Sequence, residues 1–231
     1  MLSLSHISFS YGLVQILDDV SIEVPKAKVV CIMGRNGVGK TTLMRNIVGL
    51  EKASKGSVTL GGVDISKVPA RRRAQSGLAL VPQGRMIFPR LTVKENLEVG
   101  LSARTDGRRT IPEEIYELFP VLKEMGARQG GNLSGGQQQQ LAIGRALVGE
   151  PRVLLLDEPT EGIQPNIIQA IGQVLLRLVS EKEMTVVLVE QYVDFIKEFG
   201  DHFYIMNRGR VVANGDTPQL SEAIVRQHLS V

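Results

Sequence analysis

The feature that most constrains this chain is the run GRNGVGKT at residues 34–41, which fills every fixed position of the pattern Gly-x-x-x-x-Gly-Lys-Thr. An apolar run at 29–33 precedes it, and the spacing of Leu43, Ile47 and Leu50 predicts a helix behind it. In that strand–loop–helix order, glycines let backbone N–H groups point at phosphate oxygens, and the helix N-terminus adds partial positive charge. The sequence therefore predicts a nucleotide-phosphate site at this P-loop. The alternative, a glycine-rich turn that happens to contain Lys-Thr, does not explain the correct flanks.

The side chains of the P-loop have separate expected roles. Lys40 supplies a positive charge for the β- and γ-phosphates, both in binding and during catalysis, and Thr41 supplies a hydroxyl ligand for Mg²⁺. The residues expected to contact nucleotide here are Gly34, Asn36, Gly37, Gly39, Lys40, Thr41 and Thr42.

A second chemical signal lies far along the chain, where an apolar run at 153–156 ends in Asp157 and Glu158. Asp157, at the end of the predicted strand, is expected to hold Mg²⁺ through water. Glu158, one residue further on, is expected to polarise the attacking water. Two adjacent acids on a solvated turn are the alternative interpretation, and the presence of the P-loop disfavours it.

The order of predicted elements favours an α/β fold with a largely parallel sheet. The opening residues predict antiparallel strands joined near Tyr11-Gly12, and a final strand pair is predicted to turn at 207–209. No repeat or linker divides residues 1–231, so one domain is expected. Further strands are predicted at 29–33, 57–60, 78–81, 153–156 and 185–189, and helices at 41–50, 93–97, 113–122, 136–148 and 166–180.

Composition excludes several classes of protein. The net charge is only +3, so the Arg71–Arg73 run is interpreted as a solvated helix face and no nucleic acid is expected as a partner. The single cysteine, Cys31, allows no intramolecular disulfide. The three histidines have no ligand spacing. No signal-peptide pattern and no run of about 20 apolar residues is seen, so any role at a membrane is expected to need another chain.

Between the two phosphate-related motifs lies the segment LSGGQ at residues 133–137, which resembles the signature of the ABC transporter family. Ser134 and two glycines precede a long predicted helix, whose N-terminus can be presented to a phosphate. In the ABC family that phosphate belongs to ATP held by the opposite subunit. The resemblance therefore implies that the residues completing the site in trans are Ser134, Gly135, Gly136 and Gln137.

The resemblance to ABC ATPases covers the whole chain and implies its architecture. The expected fold is α/β: a P-loop NTPase (RecA-like) core with an antiparallel β subdomain and an inserted α-helical signature subdomain. The nucleotide-binding core is expected at about 1–90 and 151–231, and the helical subdomain at about 91–150. The resemblance also implies that the chain hydrolyses ATP with Mg²⁺ as a peripheral subunit on the cytoplasmic face of the inner membrane.

The implied partners follow from the same family. A second ATPase subunit, in a homodimer or a heterodimer, completes the site in trans. Transmembrane permease subunits hold the chain at the membrane, and a periplasmic or extracellular substrate-binding protein acts indirectly. The residues at 86–91, which follow Gln83, are interpreted either as core or as a groove that receives a helix of the permease.

Further site residues are carried over from the family one at a time. Tyr11 occupies the place where ABC proteins stack an aromatic ring on adenine. Gln83 matches the glutamine that approaches Mg²⁺ and the attacking water and links the site to the helical insert. Gln164 replaces an aspartate found in many relatives, and Gln191 stands where the family usually has a switch histidine. Gln191 can donate a hydrogen bond to a γ-phosphate but cannot carry positive charge, so slower hydrolysis is hypothesised.

Within the family, the chain resembles the smaller ATPase subunit of branched-chain amino acid and urea uptake systems, in which glutamine at the switch position is usual. The local sequence at 161–165 and at 132–140 favours urea or short-chain amides as the transported substrate. Two alternatives stay open: a branched-chain amino acid importer, and a poorly hydrolysing regulatory subunit, against which Glu158 argues. A GTPase is disfavoured because no Asn-Lys-x-Asp motif occurs, and an ABC ATPase acting on DNA or ribosomes because long insertions and tandem units are missing.

Overall fold

A computed structural model describes residues 1–229. Its strands are β1 (Leu2–Tyr11), β2 (Val14–Val24), β3 (Val29–Met33), β4 (Lys55–Leu60), β5 (Val63–Asp64), β6 (Leu78–Val81), β7 (Val153–Asp157), β8 (Thr185–Val189), β9 (His202–Asn207) and β10 (Arg210–Asp216). Its α-helices are α1 (Lys40–Val48), α2 (Ala70–Gln75), α3 (Val93–Gly100), α4 (Glu113–Leu118), α5 (Pro120–Glu124), α6 (Gly135–Leu147), α7 (Pro165–Lys182), α8 (Val193–Phe199) and α9 (Glu222–His228). Short 3-10 turns lie at Leu101–Ala103, Gly130–Asn132 and Thr217–Gln219.

Two sheets organise these elements. The first has the order β2-β1-β4-β5 and is antiparallel throughout. The second has the order β10-β9-β3-β8-β7-β6, and only its β9–β10 edge pair is antiparallel. The central strands are buried along their whole length, as a parallel sheet covered on both faces requires. This arrangement agrees with the predicted largely parallel α/β core.

The alternation of side chains along β3 separates two hydrophobic cores. Cys31 and Met33 point into a core shared with the helices α3 to α8, whereas Val30 and Ile32 point into a core shared with α1 and the antiparallel sheet. Successive strand residues face opposite sides of a sheet, so β3 is packed from both directions. The P-loop that follows β3 is thus held on a strand with little freedom to move.

The predicted helix at 113–122 is wrong as a single element. It is divided into α4 and α5, with Phe119 between them in a non-helical conformation (φ −136°, ψ 77°). The physical reason is Pro120, because the residue before a proline is disfavoured in the α region. Pro120 itself lies at the first position of α5, where its missing N–H costs nothing.

The solvated interpretation of the arginine run is wrong for Arg73, whose side chain is buried. Its guanidinium donates to the carbonyl oxygens of Asn46 and Ile47, both at 2.8 Å, near the C-terminus of α1. It also donates to the carbonyl oxygens of Val68 and Ser66. A cation at a helix C-terminus meets the negative end of the helix dipole. Arg73 therefore joins α2 to the helix that follows the P-loop.

Helices α1, α3, α6 and α7 match their predicted positions to within a few residues, whereas α2, α8 and α9 were not among the predicted helix ranges. Helix α3 begins at a capping box in which Thr92 and Glu95 satisfy each other's backbone N–H groups. Within residues 1–229, no helix is both long enough and apolar enough to cross a membrane.

Candidate nucleotide-binding site

Four adjacent parallel strands deliver the predicted site residues to one edge of the sheet. The C-terminal ends of β3, β8, β7 and β6 lead into residues 34–41, 190–192, 157–158 and 82–83, respectively. Because the carboxyl ends of neighbouring parallel strands meet at the same edge, sequence-distant residues become neighbours there.

Two glycines of the P-loop, Gly34 and Gly39, are required both by their positive φ angles and by the lack of space for a side chain. Gly34 has φ +145°, and a Cβ there would lie 2.5 Å from the carbonyl oxygen of Met206. Gly39 has φ +108°, and its Cβ would lie 2.9 Å from the carbonyl oxygen of Ile16. A side chain at either position would clash with backbone, so the loop's curvature depends on these glycines.

Lys40, the first residue of α1, lies inside the loop with only 5% of its surface exposed. Its ammonium donates to the carbonyl oxygens of Gly34 at 2.7 Å and Arg35 at 3.1 Å. The same nitrogen lies 3.5 Å from Oε1 of Glu158, which connects the P-loop to the end of β7.

Glu158 is the centre of a polar group that we name the Glu158 cluster, formed by Lys40, Gln83, Glu158 and Gln191. Nε2 of Gln191 donates to Oε1 at 2.8 Å, and Nε2 of Gln83 donates to Oε2 at 3.0 Å. Both carboxylate oxygens are therefore engaged. Glu158 has φ +50°, a conformation that costs free energy in a non-glycine residue and persists only where the surroundings impose it.

The two glutamines of the cluster also contact further residues. Nε2 of Gln191 donates to Oδ1 of Asn36 at 2.8 Å, so Gln191 spans the P-loop and Glu158. Nε2 of Gln83 donates to Oε2 of Glu161 at 3.2 Å. Gln83 and Gln191, predicted separately, thus meet at one carboxylate, and Asn36 is linked to it through Gln191.

Asp157 and Thr41 fit a magnesium site. Asp157 is 2% exposed, and its Oδ1 is buried without a hydrogen-bond partner among the described residues. Burial raises the pKa of Asp157 above its usual range, and a hydrogen bond with the Thr41 side chain opposes that rise. A buried carboxylate oxygen left without a partner is costly, and a hard cation that prefers oxygen ligands would satisfy it.

The signature segment lies apart from the Glu158 cluster. Ser134 is the N-cap of α6: its hydroxyl accepts a hydrogen bond from the Gln137 N–H, and the Gln137 side chain accepts one from the Ser134 N–H. Within residues 1–229, no hydrogen bond or ion pair that we find joins residues 134–137 to Lys40 or Glu158. Gly135 and Gly136 complete the first turn of α6, beside Arg85 and Ile167, respectively.

Tyr11 lies near the tip of the first hairpin and is 44% exposed. Its ring packs edge-on against Phe9, and its hydroxyl donates to Oε1 of Glu51 at 3.0 Å. Gly37 and Thr42, the other predicted contacts, lie in the P-loop and the first turn of α1.

A groove of about 480 Å³ opens behind the site. The residues that line it include Asp157 and Gln83 of the site and the apolar Leu50 and Met86. Met86 and Leu50 are each more than half exposed. Met86 lines this groove and Phe88 is 45% exposed, whereas Ile87 packs against the hydrophobic core, so residues 86–91 divide between the two interpretations.

Two residues of the site were not predicted. Glu190 is 3% exposed and follows β8 directly, and Arg85 donates to the carbonyl oxygen of Glu161 at 3.2 Å. The signal for Glu190 was available, because an acid that ends an apolar strand is also what indicated Asp157. Arg85 offered no comparable signal.

A family model described as "ABC transporter" matches residues 17–161. This chain belongs to the ABC transporter family. Among ABC relatives, the branched-chain amino acid transport ATP-binding protein BraG of Pseudomonas aeruginosa is 42% identical, with 92% of this chain and 91% of the relative covered. The probable branched-chain amino acid transport ATP-binding protein LivF of Archaeoglobus fulgidus is 36% identical, with 96% of this chain and 94% of the relative covered.

Solved ABC cassettes share the fold along nearly the whole chain. A nucleotide-free ATP-binding cassette of an ABC transporter superposes with a TM-score of 0.83 at 30% identity, covering 100% of this chain and 95% of the other. A dimeric cassette in a post-hydrolysis state, bound to ADP and phosphate, gives a TM-score of 0.86 at 26% identity, covering 94% and 99%. The fold is that of a P-loop NTPase, and the chain is an ATP-binding ABC-type ATPase.

Proposed function

We propose that this chain is the ATP-hydrolysing subunit of an ABC importer for urea or short-chain amides. The observation that carries the hydrolytic part is the Glu158 cluster, in which Lys40 at the start of α1 and two glutamines from separate loops meet on one carboxylate. A group that orients and deprotonates water needs to be held in this way, because general-base catalysis depends on position first and on pKa second.

In this proposal the P-loop binds the phosphates of ATP. Its backbone N–H groups and the N-terminus of α1 face the β- and γ-phosphates, and Lys40 exchanges the carbonyl oxygens of Gly34 and Arg35 for phosphate oxygens. Tyr11 stacks on adenine, since its exposed ring lies on the hairpin beside the P-loop. Asp157, Thr41 and Gln83 are the residues that would hold Mg²⁺, which when bound neutralises charge on the phosphates.

Glu158 then acts on the attacking water. Transfer of Lys40 to the γ-phosphate frees Oε1 of Glu158 from its nearest cation, and that oxygen accepts the hydrogen bond of the water. Gln83 holds Oε2, and one N–H of Gln191 stays on Glu158, so the carboxylate keeps its orientation during attack. The other N–H of Gln191 exchanges Oδ1 of Asn36 for the γ-phosphate. Family members with histidine at the position of Gln191 can place a positive charge beside the γ-phosphate, whereas the neutral amide of Gln191 cannot.

The signature segment completes the site of a second subunit. The capping box of Ser134 and Gln137 presents the N-terminus of α6 at the surface, and Gly135 and Gly136 let backbone approach a phosphate closely. That the signature segment is separate from the Glu158 cluster in one chain supports use in trans. The second ATPase subunit is either another copy or a different chain.

The groove behind Asp157 and Gln83 is the proposed docking site of a permease helix. The groove is lined both by residues of the nucleotide site, such as Gln83, and by exposed apolar residues, such as Met86. A movement of Gln83 would therefore be passed on to a permease helix that contacts Met86. In this scheme residues 91–150 form the helical subdomain and the remainder forms the nucleotide-binding core. Docking holds the chain on the cytoplasmic face of the membrane, and a substrate-binding protein delivers cargo on the opposite face.

The choice of urea or short-chain amides rests on the local sequence at 132–140 and 161–165. A branched-chain amino acid importer is the second candidate, and the names of the BraG and LivF relatives favour it. In this scheme the transported molecule is recognised by the permease and the substrate-binding protein, and this chain does not contact it. A poorly hydrolysing regulatory subunit is the third candidate, and the retained Glu158 argues against it.

An uptake experiment tests both parts of the proposal. Cells that lack this chain are complemented with the wild type or with Glu158→Gln, and uptake of radiolabelled urea, acetamide and leucine is measured. We expect the wild type alone to restore uptake of urea and acetamide. Restoration of leucine uptake only would favour the second candidate, and full uptake with Glu158→Gln would contradict the assignment of Glu158.

A further inference from the structure

Glu190 is a buried carboxylate that none of the proposed steps uses. It follows β8, is 3% exposed, and its backbone N–H donates to the carbonyl oxygen of Ile32. Its Oε1 accepts hydrogen bonds from the backbone N–H of Thr160 at 3.1 Å and from the Thr160 hydroxyl at 2.5 Å. Its Oε2 accepts from the backbone N–H groups of Gln191 at 2.8 Å and Tyr192 at 3.1 Å.

The four donors come from two different loops. Thr160 belongs to the loop between β7 and α7, which also carries Glu158 and Glu161. Gln191 and Tyr192 belong to the loop after β8. A buried carboxylate is tolerated only where several donors compensate it, and here all four donors belong to these two loops. Glu190 therefore joins the loop of Glu158 to the loop of Gln191.

This junction determines the geometry of the Glu158 cluster. Gln191 reaches Oε1 of Glu158 at 2.8 Å only while its own backbone stays in place, and the Gln191 N–H is one of the bonds that Glu190 accepts. On the other side, the loop held through Thr160 contains Glu161, which receives the second bond of Gln83. A displacement of either loop would alter the donors that face Glu158.

We infer that Glu190 is a positioning residue for ATP hydrolysis, which fixes Gln191 against Glu158 by binding the two loops to one carboxylate. The inference rests on the proposed function and deepens it. Strand β8 does not depend on this side chain, because its own pairing with β3 and β7 runs through the backbone. A change at Glu190 is thus expected to act on the two loops before it acts on the sheet.

The first test is Glu190→Gln in the full chain, with the transporter subunits that co-purify with it. The amide keeps the shape but presents an NH₂ group to N–H donors, so half of the accepted bonds are lost. We expect kcat to fall roughly 10- to 100-fold, the cost of a misplacement of about 1 Å at a reacting group, whereas KM for ATP and ATP binding stay within about threefold. Glu198→Gln, the same exchange at an exposed residue of α8, is the matched control.

A double-mutant cycle separates positioning from a general loosening of the fold. If Glu190 acts through Gln191, Glu190→Gln lowers kcat much less in a Gln191→Ala background than in the wild type. The same fold loss in both backgrounds would overturn the inference. So would a wild-type kcat in Glu190→Gln, or a loss of ATP binding that equals the loss of rate.

Thr160→Val serves if Glu190→Gln does not fold, because it removes only the hydroxyl from the junction. We expect a reduced kcat with unchanged ATP binding, and an unchanged kcat would overturn the inference. A wild-type chain that binds ATP without hydrolysing it, alone and with its partners, would overturn the proposed function and the inference together. Normal wild-type hydrolysis with no effect of either variant would overturn the inference alone.

Discussion

The Glu158 cluster and the signature segment are built in opposite ways within one chain. The cluster assembles two glutamines from separate loops and Lys40 of α1 around one carboxylate, with contacts of 2.8 to 3.5 Å. The signature segment satisfies itself: Ser134 and Gln137 bond to each other, and the free end of α6 faces outward. The contacts of the first region lie within one chain, whereas the proposed partner of the second region is a phosphate held by another subunit.

This difference predicts which property each region controls. Changes in the Glu158 cluster should impair hydrolysis in the subunit that carries them. Changes in the signature segment should leave ATP binding by a single chain intact and impair the step that needs two subunits. The predictions that follow test this division, from the largest expected effect to the smallest.

The largest effect is expected for Glu158→Gln. The amide keeps the hydrogen-bonding shape but cannot accept the proton of the attacking water, so steady-state MgATP hydrolysis should fall about 10²- to 10⁴-fold, the usual contribution of a general base. Binding of a fluorescent ATP analogue should persist, because Lys40 and the P-loop are unchanged.

The matched control for that prediction is Glu161→Gln, which alters the other carboxylate in contact with Gln83. We expect it to reduce hydrolysis only a few-fold, since about one exposed hydrogen bond is affected. Equal losses in the two variants would contradict the assignment of Glu158 as the base.

The second effect concerns Ser134, compared as Ser134→Asp and Ser134→Asn. Both residues cap helices as well as serine does, so α6 should begin normally in each. The aspartate adds a negative charge that repels the γ-phosphate bound by the second subunit. We therefore expect hydrolysis to fall roughly 10- to 100-fold in the Ser134→Asp variant alone, the rate loss that corresponds to losing one hydrogen bond to a charged group. Weakened ATP binding by the isolated Ser134→Asp chain would contradict the proposal that the signature segment acts only on the ATP of a second subunit.

A smaller effect is expected for Gln191→His. A charged imidazole strengthens the hydrogen bond to the γ-phosphate over a neutral amide, and a gain of about 1 kcal/mol corresponds to a roughly fivefold faster hydrolysis. The gain should diminish as pH rises above about 7, where histidine is neutral. Comparable rates of ATP hydrolysis in the variant and the wild type across pH 6 to 8 would contradict the hypothesis that Gln191 slows hydrolysis.

The smallest effect is one of stability, and it concerns Asp157. Burial raises the pKa of Asp157, so the folded state loses stability as pH rises from the unfolded pKa of about 3.8 through the folded value, and the loss persists at neutral pH. Asp157→Asn should therefore raise the unfolding midpoint of the nucleotide-free chain at pH 7 by about 2–4 °C, the shift that about 1 kcal/mol gives at this size.

The pH dependence provides the check on that prediction. As the pH falls toward the unfolded pKa, the carboxyl of Asp157 takes up its proton earlier in the folded chain than in the unfolded chain, so the advantage of asparagine should shrink. MgATP should stabilise the wild type more than the variant, because the proposed Mg²⁺ ligand is lost. A variant that is less stable than the wild type at pH 7 would contradict the cost assigned to this buried carboxylate.

Much of the fold and of the Glu158 cluster could be predicted because the signals are local. The P-loop pattern fixes four positions within eight consecutive residues, and the apolar runs that end at Met33 and at Asp157 are short enough to identify as buried strands. The neighbourhood of Gln83 and Gln191 was predicted through resemblance to the family, not from spacing. Sequence alone does not say which parallel strands become neighbours.

The residues that sequence missed depend on contacts across the fold. Arg73 looks like one charge in a solvated run, and only the position of the C-terminus of α1 explains its burial. Glu190 looks like the polar end of a strand, and its role depends on Thr160, which is 30 residues away. The break at Phe119 was the exception, because Pro120 is visible in the sequence and the rule for the preceding residue applies.

The most direct test of the division between the two regions is the mass of the Glu158→Gln chain in solution, measured by light scattering with and without MgATP. Blocked hydrolysis should trap ATP between the P-loop of one subunit and the signature segment of another. We predict that MgATP drives association, with a second copy or with a co-purifying ATPase, and that adding Ser134→Asp abolishes it. Association that needs no nucleotide, or that survives Ser134→Asp, would contradict the account.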